Sequence, residues 1–171
     1  MKKLITIIAT VILLTNPANV SADTKIAGDS ARLQSDELTK EDYRVQILKD
    51  YLESHNSPLS EHADDFVRIA DENQLDWRLV PAISGVESTF GKRIPYKSYN
   101  AYGWAGGKYY FESWPDSIDI VSSTLKEKYM NKGATSVNRI ARIYAPPSNS
   151  WAWKVKYFMN EIEPFPVEFT L

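Results

Sequence analysis

The sequence predicts a mainly helical domain of about six helices, interrupted once by an irregular segment. Apolar residues recur every three or four positions over most of the chain, as they do on the buried side of a helix. There is no cysteine, so disulfides cannot stabilise the domain. The chain must therefore rely on an apolar core, and 171 residues are enough for one well-packed domain.

Residues 1–22 have the pattern of an export signal. Lys2 and Lys3 form a basic start, residues 4–14 are mostly apolar, and small residues up to Ala22 provide a cleavage site. The apolar run is too short for a comfortable membrane span. We therefore predict a secreted or cell-envelope protein, cut after Ala22, that contacts a membrane only if this segment stays uncleaved.

The rest of the chain divides into a linker and a folded domain. Residues 23–38 are polar, which is typical of a flexible linker, and residues 39–171 form the predicted domain. Acidic residues (22) outnumber basic ones (20), so nucleic acid is not an expected partner. With only two histidines, His55 and His62, we expect no metal and no cofactor. We also expect a monomer.

Two helices are predicted at the start of the domain. The string Thr39–Asp42 resembles a capping box, and helical periodicity continues from it to about Ser54. Residues 56–58 contain a turn signal with proline. A second amphipathic stretch runs from about Ser60 to Asn73.

The third predicted helix contains the most informative residue, Glu87. Asp76 is its expected N-cap and Gly91 its stop, and Pro81 inside it should cost one backbone hydrogen bond. Its apolar positions are Leu79, Ile83, Val86 and Phe90. Glu87 lies at the edge of that stripe, where partial removal from water favours the protonated form that a general acid needs. The alternative is a boundary glutamate whose carboxylate stays in solvent.

The segment 92–112 interrupts the helical pattern. It is rich in glycine and tyrosine, and we predict loops with a short hairpin across Gly106-Gly107. Most of the five tryptophans and ten tyrosines of the chain lie after residue 76. Some must belong to the core. The excess also suits a groove that stacks on the apolar faces of sugar rings, or another ligand cleft.

Three more helices complete the predicted domain. Residues 113–116, Ser-Trp-Pro-Asp, open the fourth, which Gly133 ends. The fifth runs over Ser136–Tyr144, and the last starts near Asn149 or Ser150. The apolar stripe of the last helix is Trp151, Val155, Phe158 and Ile162.

Four strings between residues 60 and 163 form an ordered set of motifs: Leu75–Phe90, Asn100–Trp104, Phe111–Ile118 and Ile143–Ala145. They resemble, in the same order, motifs of the lysozyme-like enzymes that cleave peptidoglycan. These enzymes are the soluble lytic transglycosylases and the bacterial endo-β-N-acetylglucosaminidases. The chain departs from the transglycosylases at residues 103–106, Gly-Trp-Ala-Gly, where they have Gly-Leu-Met-Gln. The glucosaminidases often carry a second acidic residue between the catalytic helix and the next motif. In this chain that segment is Gly91–Tyr99, and it has no acidic residue.

The resemblance implies a lysozyme-like α+β fold with Glu87 as catalytic acid and Tyr144 close to it. It implies substrate-binding roles for Ser88, Asn100, Tyr102 and Trp104. Each has a structural alternative. Tyr144 would simply end an apolar helical face, Asn100 would shape its loop, and Ser88 would stabilise the turn beside Glu87. Tyr102 and Trp104 would pack beneath the cleft.

The activity implied by the resemblance is cleavage of β-1,4 bonds in peptidoglycan glycan strands, by hydrolysis or by transglycosylation, without a cofactor. A single carboxylate suffices if the 2-acetamido group of the sugar assists. Asp116 more plausibly supports the start of its helix, while Glu112 is either an ordinary loop charge or a second acid. The alternatives are a non-catalytic cell-wall binding protein of the same fold and an exported helical interaction domain.

Overall fold

The computed structural model describes residues 42–164, in which six α-helices are joined by short turns and loops. The helices are α1 Tyr43–Ser54, α2 Ala63–Glu72, α3 Leu79–Ser88, α4 Trp114–Thr124, α5 Val137–Tyr144 and α6 Trp151–Ile162. The prediction of a mainly helical domain is confirmed. The predicted signal segment 1–22 and linker 23–38 lie outside the described residues. None of the helices in residues 42–164 is long and apolar enough to cross a membrane.

Arg44 connects the first two helices through hydrogen bonds. Asp42 caps α1, since its Oδ1 accepts a hydrogen bond from the backbone N–H of Arg44 at 2.9 Å. The Arg44 guanidinium donates to Asp71 Oδ1 at 2.8 Å, near the end of α2. These hydrogen bonds to Arg44 lower the pKa of Asp42 and of Asp71. The N-cap of α1, Asp42, is the last residue of the predicted capping string Thr39–Asp42.

Helix α3 is central, and it is buried continuously from Leu79 to Gly85. It packs along α6, and Gly85 allows that contact, since a Cβ there would lie 2.6 Å from the ring of Phe90 and 3.1 Å from the ring of Phe158. The two phenylalanine rings meet edge to face with centroids 5.1 Å apart. Pro81 costs no helical hydrogen bond, contrary to expectation, because the first turn of a helix has no intrahelical acceptors for its N–H groups.

The end of α3 comes two residues earlier than predicted. Thr89 and Phe90 both have positive φ values, 55° and 57°, which a helix cannot contain. The N–H of Phe90 donates to the Ser84 carbonyl at 3.1 Å, and this bond closes the helix end. The turn places Glu87 in the last turn of α3.

Residues 42–164 contain no strand, and this includes the segment before α4. The predicted hairpin across Gly106-Gly107 is therefore wrong. Ala105, Gly106 and Gly107 have φ values of 50°, 65° and 80°. Consecutive left-handed residues coil the backbone instead of extending it. The N–H of Gly107 donates back to the Gly103 carbonyl at 3.2 Å and closes the coil. The prediction of an irregular segment here holds.

Helix α4 begins within the string 113–116, as the sequence predicts, and its N-cap is Ser113, whose Oγ accepts from the Asp116 N–H at 3.2 Å. We expect Ser113→Ala to lower the free energy of unfolding by about 1 kcal/mol, because one N–H of the first turn loses its acceptor. Urea denaturation followed by circular dichroism measures this change. Ser123→Ala, near the C-terminal end of α4, is the matched control; its Oγ donates only to the Ile120 carbonyl of the same helix, so its loss should change the stability little. Equal effects of the two substitutions would contradict the capping role.

Candidate active site

Glu87 and Trp151 form the centre of the site. The indole Nε1–H of Trp151, the first residue of α6, donates to Glu87 Oε1 at 2.6 Å. Trp151 is buried, whereas Glu87 is exposed. The expectation of a partly buried carboxylate is therefore wrong, because Glu87 lies on the side of α3 that the core does not cover. Its carboxylate is nevertheless held in place by a buried donor.

Gly103 brings the Asn100–Trp104 loop against the carboxylate. A Cβ at Gly103 would lie 2.9 Å from Glu87 Oε2, so a side chain there would displace the acid. Gly103 also has a φ of +66°, which residues with a Cβ rarely adopt. The position therefore requires glycine for two separate reasons. This contact brings the first two family-like strings of the sequence together.

Tyr144 joins the same group from the end of α5. Its hydroxyl donates to the Tyr102 carbonyl at 2.6 Å, and its ring stacks on Trp151 with centroids 5.0 Å apart. Burial, and next the negative charge of Glu87, raise the pKa of Tyr144 well above its usual value. Tyr144 is thus a neutral phenol that fixes the loop beside Glu87. It does more than end an apolar helical face.

An open cleft of about 250 Å³ adjoins this group. Its lining consists of Tyr102, Gly103, Trp104, Ala105, Gly106, Tyr129 and Tyr144. Glu87 lies beside the cleft, since Gly103 both lines it and faces the carboxylate. Aromatic rings combined with exposed backbone polar groups suit a ligand that has both flat apolar faces and hydroxyl or amide groups.

Asn100 supports the loop from below. It is buried, its Oδ1 accepts from the Trp104 N–H at 2.9 Å, and its Nδ2 donates to the carbonyls of Trp104 and Tyr109, both at 3.0 Å. The amide is thus fully engaged with the backbone. Of the two roles considered for Asn100, its geometry supports the shaping of the loop.

Ser88 also has a structural position. Its Oγ is buried, donates to the Ala101 carbonyl at 2.8 Å and accepts from the Gly91 N–H at 2.8 Å. It therefore ties the end of α3 to the loop. Tyr102 is fully buried under the cleft, while Trp104 is partly exposed and lines it. Trp104 is thus the side chain among these predicted binding residues that is placed to touch a ligand.

The two other acidic residues considered, Glu112 and Asp116, lie at the start of α4. The Glu112 N–H donates to Asp116 Oδ2 at 3.0 Å, which supports the predicted role of Asp116 at the helix start. Glu112 itself is exposed. Within residues 42–164 no group of three or more histidine, aspartate or glutamate side chains is arranged to hold a metal ion.

Sequence reasoning missed the roles of Trp151 and Gly103. Trp151 was expected only as the first apolar residue of the last helix. One signal was present, because a buried tryptophan usually needs a partner for its N–H. That partner lies 64 residues away in sequence, and only the packing of α6 on α3 identifies it.

No protein-family model, no curated protein and no solved structure matches this chain. Its chemistry must therefore be inferred from the geometry of the site and from the residue strings that carry the resemblance.

We expect Asn100→Ala to lower the free energy of unfolding by roughly 2–3 kcal/mol, because it removes three hydrogen bonds to partly buried backbone groups of Trp104 and Tyr109. Thermal unfolding measures this loss. Asn131→Ala, at an exposed position after α4, is the control and should change little. If both variants unfold at the parent temperature, Asn100 does not hold the loop, and its amide is available for a ligand.

Proposed function

We propose that this chain is an exported enzyme that cleaves β-1,4 glycosidic bonds in the glycan strands of peptidoglycan, with Glu87 as general acid and a lysozyme-like fold that has helices but no strand within residues 42–164. The observation that carries the proposal is the 2.6 Å hydrogen bond from Trp151 Nε1–H to Glu87 Oε1 beside an open aromatic cleft. Glycosidic acid catalysis requires a carboxyl group held at a cleft that the glycan can enter, and protonated when it meets the bridging oxygen.

The cleft fits a sugar better than it fits a purely apolar or purely charged ligand. Trp104 and Tyr129 offer ring surfaces for the flat faces of a pyranose, while Tyr144 packs against Trp151 at the base of the cleft. The coiled backbone of residues 103–107 offers polar groups for hydroxyl and acetamido substituents. No charged side chain lines this cleft within the described residues, which agrees with an uncharged sugar backbone as the ligand.

The hydrogen bond from Trp151 decides which oxygen of Glu87 carries the proton. Oε1 already accepts from the indole, so the acidic proton belongs on Oε2. Oε2 faces Gly103, which lines the cleft, so this oxygen lies on the side from which a substrate would approach. A bound glycan would cover the exposed carboxylate, and the exclusion of water would then strengthen each electrostatic interaction in the site.

In the first step, Glu87 transfers its proton from Oε2 to the bridging oxygen, and the bond from that oxygen to the anomeric carbon breaks. The leaving sugar departs as an alcohol. Positive charge develops on the anomeric carbon and the ring oxygen. The carbonyl oxygen of the 2-acetamido group can bond to the anomeric carbon from the opposite face, so a second protein carboxylate is not essential.

In the second step, Glu87 acts as a base with the same carboxylate. It removes a proton from a water molecule, whose oxygen bonds to the anomeric carbon while the bond from the acetamido oxygen to that carbon breaks, and a reducing end results. Alternatively it removes the proton of the 6-hydroxyl of the same sugar, whose oxygen then displaces the acetamido oxygen from the anomeric carbon and gives a 1,6-anhydro end. Tyr144 stays neutral throughout and keeps the Tyr102–Gly103 peptide against the acid.

We expect Glu87→Gln to reduce the lysis of purified cell walls by about 10²–10⁴-fold, because the amide keeps the acceptor for Trp151 but supplies no acidic proton. Turbidity of a wall suspension measures the rate, and circular dichroism checks the fold. Glu112→Gln is the matched control at an exposed carboxylate and should retain the parent rate.

The outcomes separate the candidate functions. Binding to walls without lysis by the parent would support a non-catalytic wall-binding protein, and neither binding nor lysis would support an interaction domain. Loss of lysis in Glu112→Gln would identify a second acid. Mass spectrometry of the products distinguishes 1,6-anhydro ends from reducing ends, and so transglycosylation from hydrolysis.

We expect Trp151→Phe to lower kcat for wall cleavage by about 10–100-fold, since a hydrogen bond to a charged group contributes about 1.5–3 kcal/mol. Phenylalanine retains an aromatic ring against Tyr144, so the fold should persist. The measurement is kcat and KM on a soluble glycan fragment. A variant with the parent kcat would show that the indole N–H does not position the acid.

A further inference from the structure

Two large aromatic side chains on α6 are exposed to solvent. Trp153 is 65% exposed and Tyr157 is 47% exposed. They lie one helical turn apart, and their rings stack at 23° with centroids 5.7 Å apart. Together they form a flat apolar surface, called here the Trp153–Tyr157 platform. Such a surface in water is costly unless it binds something.

The platform is supported from behind by further rings. Tyr157 meets Phe158 edge to face at 5.5 Å, and Phe158 meets the buried Phe90 in the same way at 5.1 Å. Phe90 lies just beyond the end of α3, where Glu87 is located. The ring of Tyr157 is therefore packed against the core before any ligand arrives, and Trp153 stacks on it, which lowers the entropic cost of binding.

The platform faces away from the cleft. Trp153 comes two positions after Trp151, and residues two apart point to opposite sides of a helix. Trp151 binds Glu87 on the inner side, so Trp153 and Tyr157 contact a different part of any large substrate. The cleft itself holds about 250 Å³, less than the roughly 300–1,000 Å³ of typical small-molecule sites. It can therefore contain only a short piece of a polymer.

Charge around the platform indicates what kind of polymer fits it. Lys154 and Lys156 lie between the two aromatic residues along α6 and are exposed, and neither forms an ion pair within residues 42–164. Glu161, one turn beyond Tyr157, is also exposed, so two positive charges and one negative charge surround the platform on this helix. Sugar rings with apolar faces suit the aromatic surface, and carboxylates on the same polymer suit the lysines. Peptidoglycan strands carry both, because their lactyl-linked peptides bear carboxylates.

We infer that the Trp153–Tyr157 platform is a second, non-catalytic binding site for an anionic glycan strand, which anchors the enzyme to insoluble wall material. This inference rests on the proposed function for the identity of the polymer. In a cross-linked wall, a neighbouring strand occupies the platform while another enters the cleft. Attachment at two points raises the effective concentration of substrate at Glu87.

The test measures binding separately from turnover. In a Glu87→Gln background, sedimentation with purified insoluble walls gives the dissociation constant of the full-length protein. Adding Trp153→Ala and Tyr157→Ala should weaken binding about tenfold per ring, equivalent to about 1.4 kcal/mol each. Tyr43→Ala is the matched control, since Tyr43 is 63% exposed and makes no ring contact with another aromatic among the described residues. It should leave binding unchanged.

Kinetics with an active Glu87 complete the test. The double variant should cleave a short soluble oligosaccharide at the parent rate but insoluble walls more slowly. Unchanged wall binding in the folded double variant would overturn the inference. Two other results would also overturn it. If the double variant loses binding only to vesicles of equal parts phosphatidylglycerol and phosphatidylethanolamine, the occupant is a membrane. If the double variant changes its oligomeric state in sedimentation, the occupant is a second copy of the chain.

The proposed function and the platform can fail separately. If the parent does not cleave walls but the double variant binds them more weakly, the cleavage proposal fails and the platform stands. If the parent cleaves walls and the double variant binds them equally well, only the platform fails.

Discussion

The hydrogen bond from Trp151 to Glu87 is the interaction on which the rest of the site depends. It joins the first residue of α6 to the last turn of α3 at 2.6 Å. It forms only because the two helices pack closely, and Gly85 allows that packing by leaving space for the rings of Phe90 and Phe158. An exposed glutamate that would otherwise sample many rotamers is thereby held in one orientation, with one oxygen occupied and the other open to a ligand.

A second set of contacts brings the irregular loop to that carboxylate. Asn100 and Ser88 satisfy the backbone of the loop from inside the protein, and Tyr144 binds it from the cleft side. Gly103 then approaches Glu87 without a side chain between them. The residues predicted to bind substrate therefore divide into two groups. Most of them build the wall of the cleft, and Trp104 contributes directly to its surface.

The helices could be predicted largely because their ends are set by interactions between residues that are close in sequence. Ser113 and Ser136 cap α4 and α5 through contacts with residues only three positions away, and Gly133 ends the region after α4 with a φ of +97°. The hairpin was predicted wrongly because the local sequence does not decide the backbone conformation there. A Gly-Gly pair is compatible with several turns, and the left-handed Ala105 beside it, which no sequence pattern indicates, selects a coil.

The sequence by itself determined that this is a helical domain with one irregular segment, and it singled out Glu87 on the third helix. It could do so because helical periodicity, caps and turn residues act over a few positions. Only the tertiary structure decided that Glu87 is exposed, that Trp151 holds it and that Gly103 leaves room beside it. Those facts depend on residues 16 and 64 positions apart along the chain, whose approach is set by the packing of α3 against α6 and against the loop.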